Sequence, residues 1–451
     1  MTAGLVSVLV PAYEAERYLG AALKSALAQD HPAFEVIVID DGSTDATAAI
    51  AKEHPVRLIE LPANRGPAAA RNAGLAAARG EYVTVLDADD LWPGDRLSLQ
   101  VGHLERHPEH DLVMGLTVAF VTPGEVRPAH FPAAHDGEPL QAHAGTMLCR
   151  RTLFDRIGPW DESFRHAEDV DWLSRAKDAG ALAGEVDEVV LHYRIHAANI
   201  SRDKTVNGAA MLRVLRDSVR RQQTPLVSVV IPLHDGAAFI ADALATVAAQ
   251  THPAVETIVV DDGSHDRGAE IAAAHPGVRV LRQPQAGPGA ARNAGVAVSS
   301  GAFLAFLDQD DLWHADKLAR QLAALRAEPG ADLALCHLDM LVTDGLERPG
   351  WFPEAWLTTP QPGYIPSAWL LRRSAWARVG RFDESYAIAS DADWLSRFSD
   401  AGLHATMLPD TLACWRVHGD NGSYDRETMQ RELFTVFRRG LRRREQDVAH
   451  D

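Results

Sequence analysis

Two aspartate-rich segments carry the chain's most pointed chemistry: Asp87-Ala88-Asp89-Asp90 and Asp308-Gln309-Asp310-Asp311. Clustered carboxylates repel one another, so holding them together makes chemical sense when a cation binds among them. An EF-hand loop is excluded, because Trp92 falls on its glycine position and Ser98 on its terminal glutamate position. One copy could be a solvated turn capping the helix that begins near Pro93. Two copies after matching strands favour a divalent metal.

Other pairs repeat with them. Asp41 and Asp262 lie in Asp40-Asp41-Gly42-Ser43-Thr44-Asp45 and Asp261-Asp262-Gly263-Ser264-His265-Asp266. Each is either a turn, with Ser43 or Thr44 as N-cap and Gly42 at positive φ, or a carboxylate accepting hydrogen bonds from a ligand such as a pyrimidine base. Asp169 and Asp391, in Glu168-Asp169-Val170-Asp171-Trp172 and Ser390-Asp391-Ala392-Asp393-Trp394, are candidate general bases. The plain alternative is an acidic helix N-terminus favoured by the macrodipole, with Trp172 and Trp394 as packing or sugar-stacking surfaces. His196 and His418 follow Arg194 and Arg416, and Asn199 and Asn421 come after them, so each histidine is a metal or diphosphate ligand or an ordinary side chain. Arg71 and Arg292 open Gly/Ala-rich helices behind Gly66-Pro67 and Gly287-Pro288. Small residues let such a helix approach a sheet closely. The arginine then either serves a phosphate or, the preferred reading, steadies the aspartate loop.

Pro11 and Pro232, Asp41 and Asp262, Arg71 and Arg292, and Asp87 and Asp308 all stand 221 residues apart, and the offset becomes 222 at Asp169 and Asp391. A whole domain has been duplicated with few insertions, so two domains are expected, 1–222 and 223–451, joined near Gln222-Gln223-Thr224-Pro225. The first repeat reads as strand Val6–Val10, helix Arg17–Ala28, strand Phe34–Ile39, a helix from Thr44, strand Arg57–Leu61, a helix from Ala68 and strand Tyr82–Leu86. Alternation of apolar runs and helical stretches predicts an α/β fold with a mostly parallel central sheet flanked by helices. The aspartates then recur beyond the carboxyl ends of strands, where open α/β sheets bind ligands.

A net charge of −18 argues against nucleic acid or anionic lipid as a general partner. Three cysteines, Cys149, Cys336 and Cys414, are too few for a disulfide frame and read as core or free thiols. The apolar run Leu5–Val10 stops at Pro11, too short for a signal peptide core or a membrane span. A cytoplasmic location without a transmembrane segment is the expectation. Met429, Leu433, Phe437 and Leu441 are spaced as one helical face among Arg438, Arg439, Arg442, Arg443 and Arg444. A helix packed on its own domain is preferred there over one lying on a membrane.

Taken in order, the V-P-x-Y strand, the DDGS turn, GPxxARNxG, D-x-D and WDESF…EDVDW resemble family 2 inverting glycosyltransferases of the GT-A fold, nearly throughout and twice over. The resemblance implies two tandem GT-A (Rossmann-like) domains, a nucleotide-sugar donor and Mg²⁺ or Mn²⁺. It places Pro11, Tyr13 and Asp41 at the nucleotide base, Asp87 at the ribose or donor sugar, Asp89 on the metal and Asp169 as catalytic base. In the second domain Pro232, Asp262, Asp308, Asp310 and Asp391 take those places. Arg71 and Arg292 would lie near the nucleotide, and His196 and His418 near the metal. The acceptor would be a glycan, lipid-linked sugar, peptide or small molecule, with specificity in segments 123–141 and 346–362. Two departures stand out: Ser390 replaces Glu168, and His234 replaces Tyr13. They open the alternative of one catalytic domain beside a degenerate binding or scaffolding domain. A nucleotidyltransferase would need a Gly-rich phosphate loop after the first strand, and Pro11-Ala12-Tyr13-Glu14 is not one. A processive membrane synthase is disfavoured by the lack of a spanning segment and of a Q-x-x-R-W motif.

Overall fold

The computed structural model describes residues 2–124, 139–140, 144–196, 204–343, 353–418 and 425–448. Asn199, Asn421 and much of the two expected specificity segments lie outside them. The chain divides into two compact units, Met1–Arg220 and Arg221–Asp451.

The first unit contains strands β1 (Thr2–Ala12), β2 (Phe34–Asp40), β3 (Arg57–Glu60), β4 (Gly80–Val85), β5 (Leu112–Phe120), β6 (Pro139–Leu140), β7 (Leu148–Arg150) and β8 (Ala183–Arg194). Its helices are α1 (Leu19–Leu27), α2 (Thr47–Lys52), α3 (Pro67–Ala77), α4 (Arg96–Arg106), α5 (Arg151–Ile157) and α6 (Glu168–Asp178), and α7 (Lys204–Gln223) runs across the boundary. The sheet order is β3-β2-β1-β4-β7-β5-β6, with β8 also paired to β5. Strands β1 to β4 pair in parallel, β7 runs antiparallel between β4 and β5, and β8 returns parallel to β5.

The side-chain period of two explains how this sheet is covered. Val6, Val8 and Val10 pack with Leu19 and Leu23 on one face. Leu9, Ile37 and Ile39 pack with Ala68, Ala70, Trp160 and Trp172 on the other. Helix α3 comes so close that a Cβ at Gly74 would meet Ile39 Cδ1 at 2.7 Å, which is why glycine ends the GPxxARNxG segment. The expected helix from Thr44 begins three residues late, at Thr47, because Asp45 Oδ1 accepts from the Thr47 amide and neither Ser43 nor Thr44 caps it. Ser43 Oγ instead accepts from the Glu14 amide and ties the turn to the end of β1. Gly42 does take positive φ, 74°, with Ala63 backbone atoms against its open side.

The second unit repeats the plan. From the edge, its sheet runs through Val278–Gln283, Val255–Asp262, Val227–Leu233, Phe303–Phe306, Leu370–Arg372, Ala331–Val342, His404–Val417 and Leu312–Trp313, with Gln361–Pro362 paired to Ala331–Val342. Both units bury a cation at matching places. Arg96 donates to Val190 O, Thr84 Oγ1 and Gln100 Oε1 and lies 4.1 Å from the Trp92 ring centroid. Lys317 donates to Gln321 Oε1 and Trp369 O and lies 4.2 Å from the Trp313 ring centroid. Burial pushes Arg96 down to about 9 and Lys317 to about 8. The three cysteines are free, Cys149 and Cys336 being buried. Among the described residues no helix is long and apolar enough to cross a membrane.

The helix Arg426–Val448 packs on its own unit, but not by the apolar stripe read from the sequence: Leu433, Phe437 and Leu441 are exposed, whereas Val436 is buried, Arg443 and Arg444 pair with Asp400, and Arg439 pairs with Asp383. Glu432 from this helix reaches the turn before helix Ser390–Asp400 and accepts from the amides of Ala387, Ile388 and Ala389, all at 2.9 Å.

Candidate active site

The site is built at the carboxyl ends of β1, β2 and β4. A cleft there is lined by Arg71, Asp87, Gly145, Met147, Asp169 and Trp172, among others. Three of the residues singled out in the sequence therefore meet: Arg71 from α3, Asp87 from the end of β4 and Asp169 from the first turn of α6. Arg71, only 9% exposed, donates to Asp87 at 3.1 Å and to buried Glu168, so it steadies the aspartate segment as expected. Burial raises the Glu168 carboxyl, an effect opposed by Arg71 and reinforced by Asp169. Asp169 is half-buried, and one of its oxygens accepts from the Val170 amide. The helix start behind it is entered through Ala167 at φ 62°, a left-handed conformation unusual for alanine.

The D-x-D segment is bound to the segment that follows β8. Asp89 Oδ2 lies 2.9 Å from His196 Nε2, and Arg194 donates through its Nε to the Asp89 carbonyl. His196 is buried, and its ring centroid is 4.7 Å from that of Tyr18. Asp90, which the sequence did not single out, is buried and accepts the Arg194 amide at 2.8 Å. Burial, then the neighbouring Asp89 and Asp87 charges, push its carboxyl well above the usual range. The alternative of a solvated turn thus fails at its last residue, which is buried, and the signal lay in the third repeated aspartate.

Asp41 is also buried, and both its oxygens are engaged by backbone: Arg65 N donates to Oδ1 at 2.9 Å and Gly66 N to Oδ2 at 2.8 Å. It organises the entry to α3. Pro11 is half-buried at the end of β1, and Tyr13 is 50% exposed beside it. Trp172 is wholly buried with its Nε1 donating to Gly158 O, and Trp394 matches it through Gly380 O. Both tryptophans pack the core.

The second unit keeps this frame with local changes. Arg292 donates to Asp308, and His418 Nε2 lies 2.8 Å from Asp310 Oδ2. Asp311 accepts the Arg416 amide and the Ser367 hydroxyl, and burial, then Asp310 and Asp308, raise it well above the usual range. Asp262 accepts from Ala286 N, Gly287 N and Gln283 Nε2. Ser390, standing for Glu168, is buried and its hydroxyl has no hydrogen-bond partner among the described residues. Asp391 is half-buried, and burial raises its carboxyl against the pull of Arg292. His234, standing for Tyr13, places Nδ1 3.0 Å from the Asp262 carbonyl, and Gln309 bonds its backbone N and O. Pro232 is half-buried at the end of its strand.

Asp89 with His196, and Asp310 with His418, bring a half-buried carboxylate and an imidazole within hydrogen-bond distance of each other, a donor set that fits a divalent cation. Both oxygens of Asp311 and Oδ1 of Asp90 are already engaged by protein groups.

An uncharacterized glycosyltransferase of Rickettsia felis is 25% identical over 382 residues, 70% of this chain and 63% of that protein. The chain thus spans under two thirds of that relative's length. The Escherichia coli UDP-Glc:alpha-D-GlcNAc-diphosphoundecaprenol beta-1,3-glucosyltransferase WfaP is 31% identical over 222 residues, 44% of this chain and 81% of that protein. The putative teichuronic acid biosynthesis glycosyltransferase TuaG of Bacillus subtilis is 32% identical over 223 residues, 44% of this chain and 82% of that protein. Residues 7–165 and 228–376 match the description "Glycosyl transferase family 2", so the chain belongs to that family, with one match in each unit.

Proposed function

We propose that the chain moves a sugar from a nucleotide-diphosphate sugar to an acceptor hydroxyl with inversion, at two donor sites, one in each unit. The observation that carries this reading is the meeting of Arg71, Asp87 and Asp169 in one cleft, with Asp89 and His196 paired at the neighbouring loop. An acceptor hydroxyl is a weak nucleophile near neutral pH. Asp169, and Asp391 in the second unit, would take its proton as it attacks the anomeric carbon from the face opposite the leaving diphosphate. One displacement inverts that carbon. Arg71 holds Asp87 against the donor, and Pro11, Tyr13 and Asp41 shape the wall for the base. Mg²⁺ or Mn²⁺, held by Asp89 and His196 or by Asp310 and His418, would supply Lewis-acid compensation for charge on the diphosphate.

The transferred group in this reading is a hexose or N-acetylhexosamine. The activity printed in the name of WfaP makes a diphosphate-linked lipid saccharide the acceptor class to try first. Donor titration tests the two-site reading. With Mn²⁺ and a panel of nucleotide sugars, the intact chain should bind two equivalents, and Asp89→Ala and Asp310→Ala should each remove one. A single equivalent, lost only in Asp89→Ala, would leave the second unit as a degenerate binding or scaffolding domain.

A further inference from the structure

We propose that the first unit carries a separate transition-metal site of the Zn²⁺ class, formed by His107, Glu109 and His110 with His103 beside them. His103 lies in the last turn of α4, and the others lie in the segment between α4 and β5. Helix α4 starts just after the D-x-D segment and runs 11 residues, about 16 Å at 1.5 Å per residue, so this cluster lies well away from Asp89.

The donor geometry is close to assembled. His107, Glu109 and His110 each offer a ligand atom, all within 4.8 Å of one another. His103 Nε2 lies 3.0 Å from His110 Nδ1, and His107 Nδ1 lies 3.2 Å from Glu109 Oε1. Ligand atoms around a tetrahedral zinc with nitrogen and oxygen at about 2.0–2.1 Å stand about 3.3 Å apart, so small side-chain rotations close the set. Imidazole with one carboxylate is a donor set zinc takes readily.

The duplication supplies the control. At the positions of His103, His107, Glu109 and His110 the second unit has Ala324, Glu328, Gly330 and Ala331 on the same framework. The fold does not need the histidines. The floor of the cluster has changed with them: a Cβ on Gly184 would come 2.1 Å from His103 Nε2 and 2.6 Å from His110 Nδ1. Gly184 pairs with Val113, and the corresponding strand position in the second unit is Thr406, paired with Ala334. A bare backbone thus accompanies the histidines, and a side chain their absence.

The test uses the full chain without a histidine tag, stripped with chelator and titrated with Zn²⁺ alone, with bound metal counted after dialysis. Its variants are His103→Ala/His107→Glu/His110→Ala, which installs the second unit's residues, and Asp89→Ala/Asp310→Ala. The intact chain should retain one more equivalent of Zn²⁺ than the triple variant and should melt at a higher temperature with Zn²⁺ than without. Asp89→Ala/Asp310→Ala should keep that equivalent, and bound Co²⁺ should show the visible absorption of a tetrahedral site. Circular dichroism of the metal-free proteins confirms that the triple variant is folded. The inference fails if the intact chain retains no Zn²⁺, if the triple variant retains as much, or if Asp89→Ala/Asp310→Ala removes all of it.

Discussion

Arg71 and Glu168 form a buried ion pair beside the candidate base, and the second unit has only half of it. There Arg292 keeps its aspartate, Asp308, but meets the uncharged Ser390 where Glu168 would be. The two units should therefore respond differently to the loss of the same arginine. Arg71→Met leaves Glu168 buried without its cation and is expected to cost the first unit about 3–5 kcal/mol. Arg292→Met strands no buried glutamate and should cost the second unit about 1–2 kcal/mol. Urea unfolding of the two variants checks this, and equal losses would show that Glu168 contributes little. Adding Glu168→Gln to Arg71→Met should recover part of the stability.

The raised carboxyl of Asp391 gives a pH dependence of definite sign. A carboxyl whose folded value lies above its unfolded value stabilises the fold below the unfolded value and loses that contribution as pH rises through the folded one. Near pH 7 the ionised, desolvated Asp391 therefore weakens the second unit. Asp391→Asn should raise its stability there, and the advantage should vanish below the ordinary carboxylate range near pH 4. As a base, Asp391 must be ionised, so transfer at the second site should decline on the acid side at a pH above that range. Thermal melts and rate profiles of wild type and Asp391→Asn, taken from pH 4 to pH 8, report both effects.

Glu432 makes the placement of Asp391 depend on the helix Arg426–Val448, since one carboxylate satisfies three amides immediately ahead of the helix turn that carries Asp391. Glu432→Ala should cost about 1–3 kcal/mol by leaving those amides without their acceptor. Hydrogen exchange at Ala387, Ile388 and Ala389 should accelerate while the first unit's amides stay protected. Unchanged exchange would mean that water replaces the carboxylate without loss.

Buried Lys317 predicts an alkaline signature. Its ammonium is pushed down from the ordinary lysine value of 10.5 to about 8, so the folded second unit releases a proton before the unfolded chain does. Stability should consequently rise with pH across that window, the reverse of the Asp391 effect. Lys317→Met should abolish the rise, as urea titrations at pH 7.5 and pH 10 would reveal.

Much of the candidate site was legible in the chain because strand and helix periods are local and the duplication repeats them in register. The strands ending at Ala12, Asp40 and Val85 and the helix starting at Pro67 lie within two residues of the ends and start expected from the sequence. Arg71 took the structural role preferred for it, against Asp87. Helix α2 was mis-started because a side-chain bond from Asp45 overrode the capping residues nearest the strand. The Asp41 segment reads equally as a turn or as a ligand-binding carboxylate, and the residues around it do not reveal that backbone amides some two dozen residues on, at Arg65 and Gly66, bond both its oxygens.

By itself, the sequence determined what depends on residue type and period: two copies of an α/β unit, the family motifs in order, and the departures at Ser390 and His234. Only the tertiary structure decided which long-range groups meet. Glu168 on Arg71, Asp90 on the Arg194 amide, Glu432 beneath the Asp391 turn, and His103 and His110 over Gly184 are pairings between segments far apart in the chain. Burial gives each its electrostatic weight, and spacing along a chain carries no record of desolvation or of the direction in which a side chain finally points.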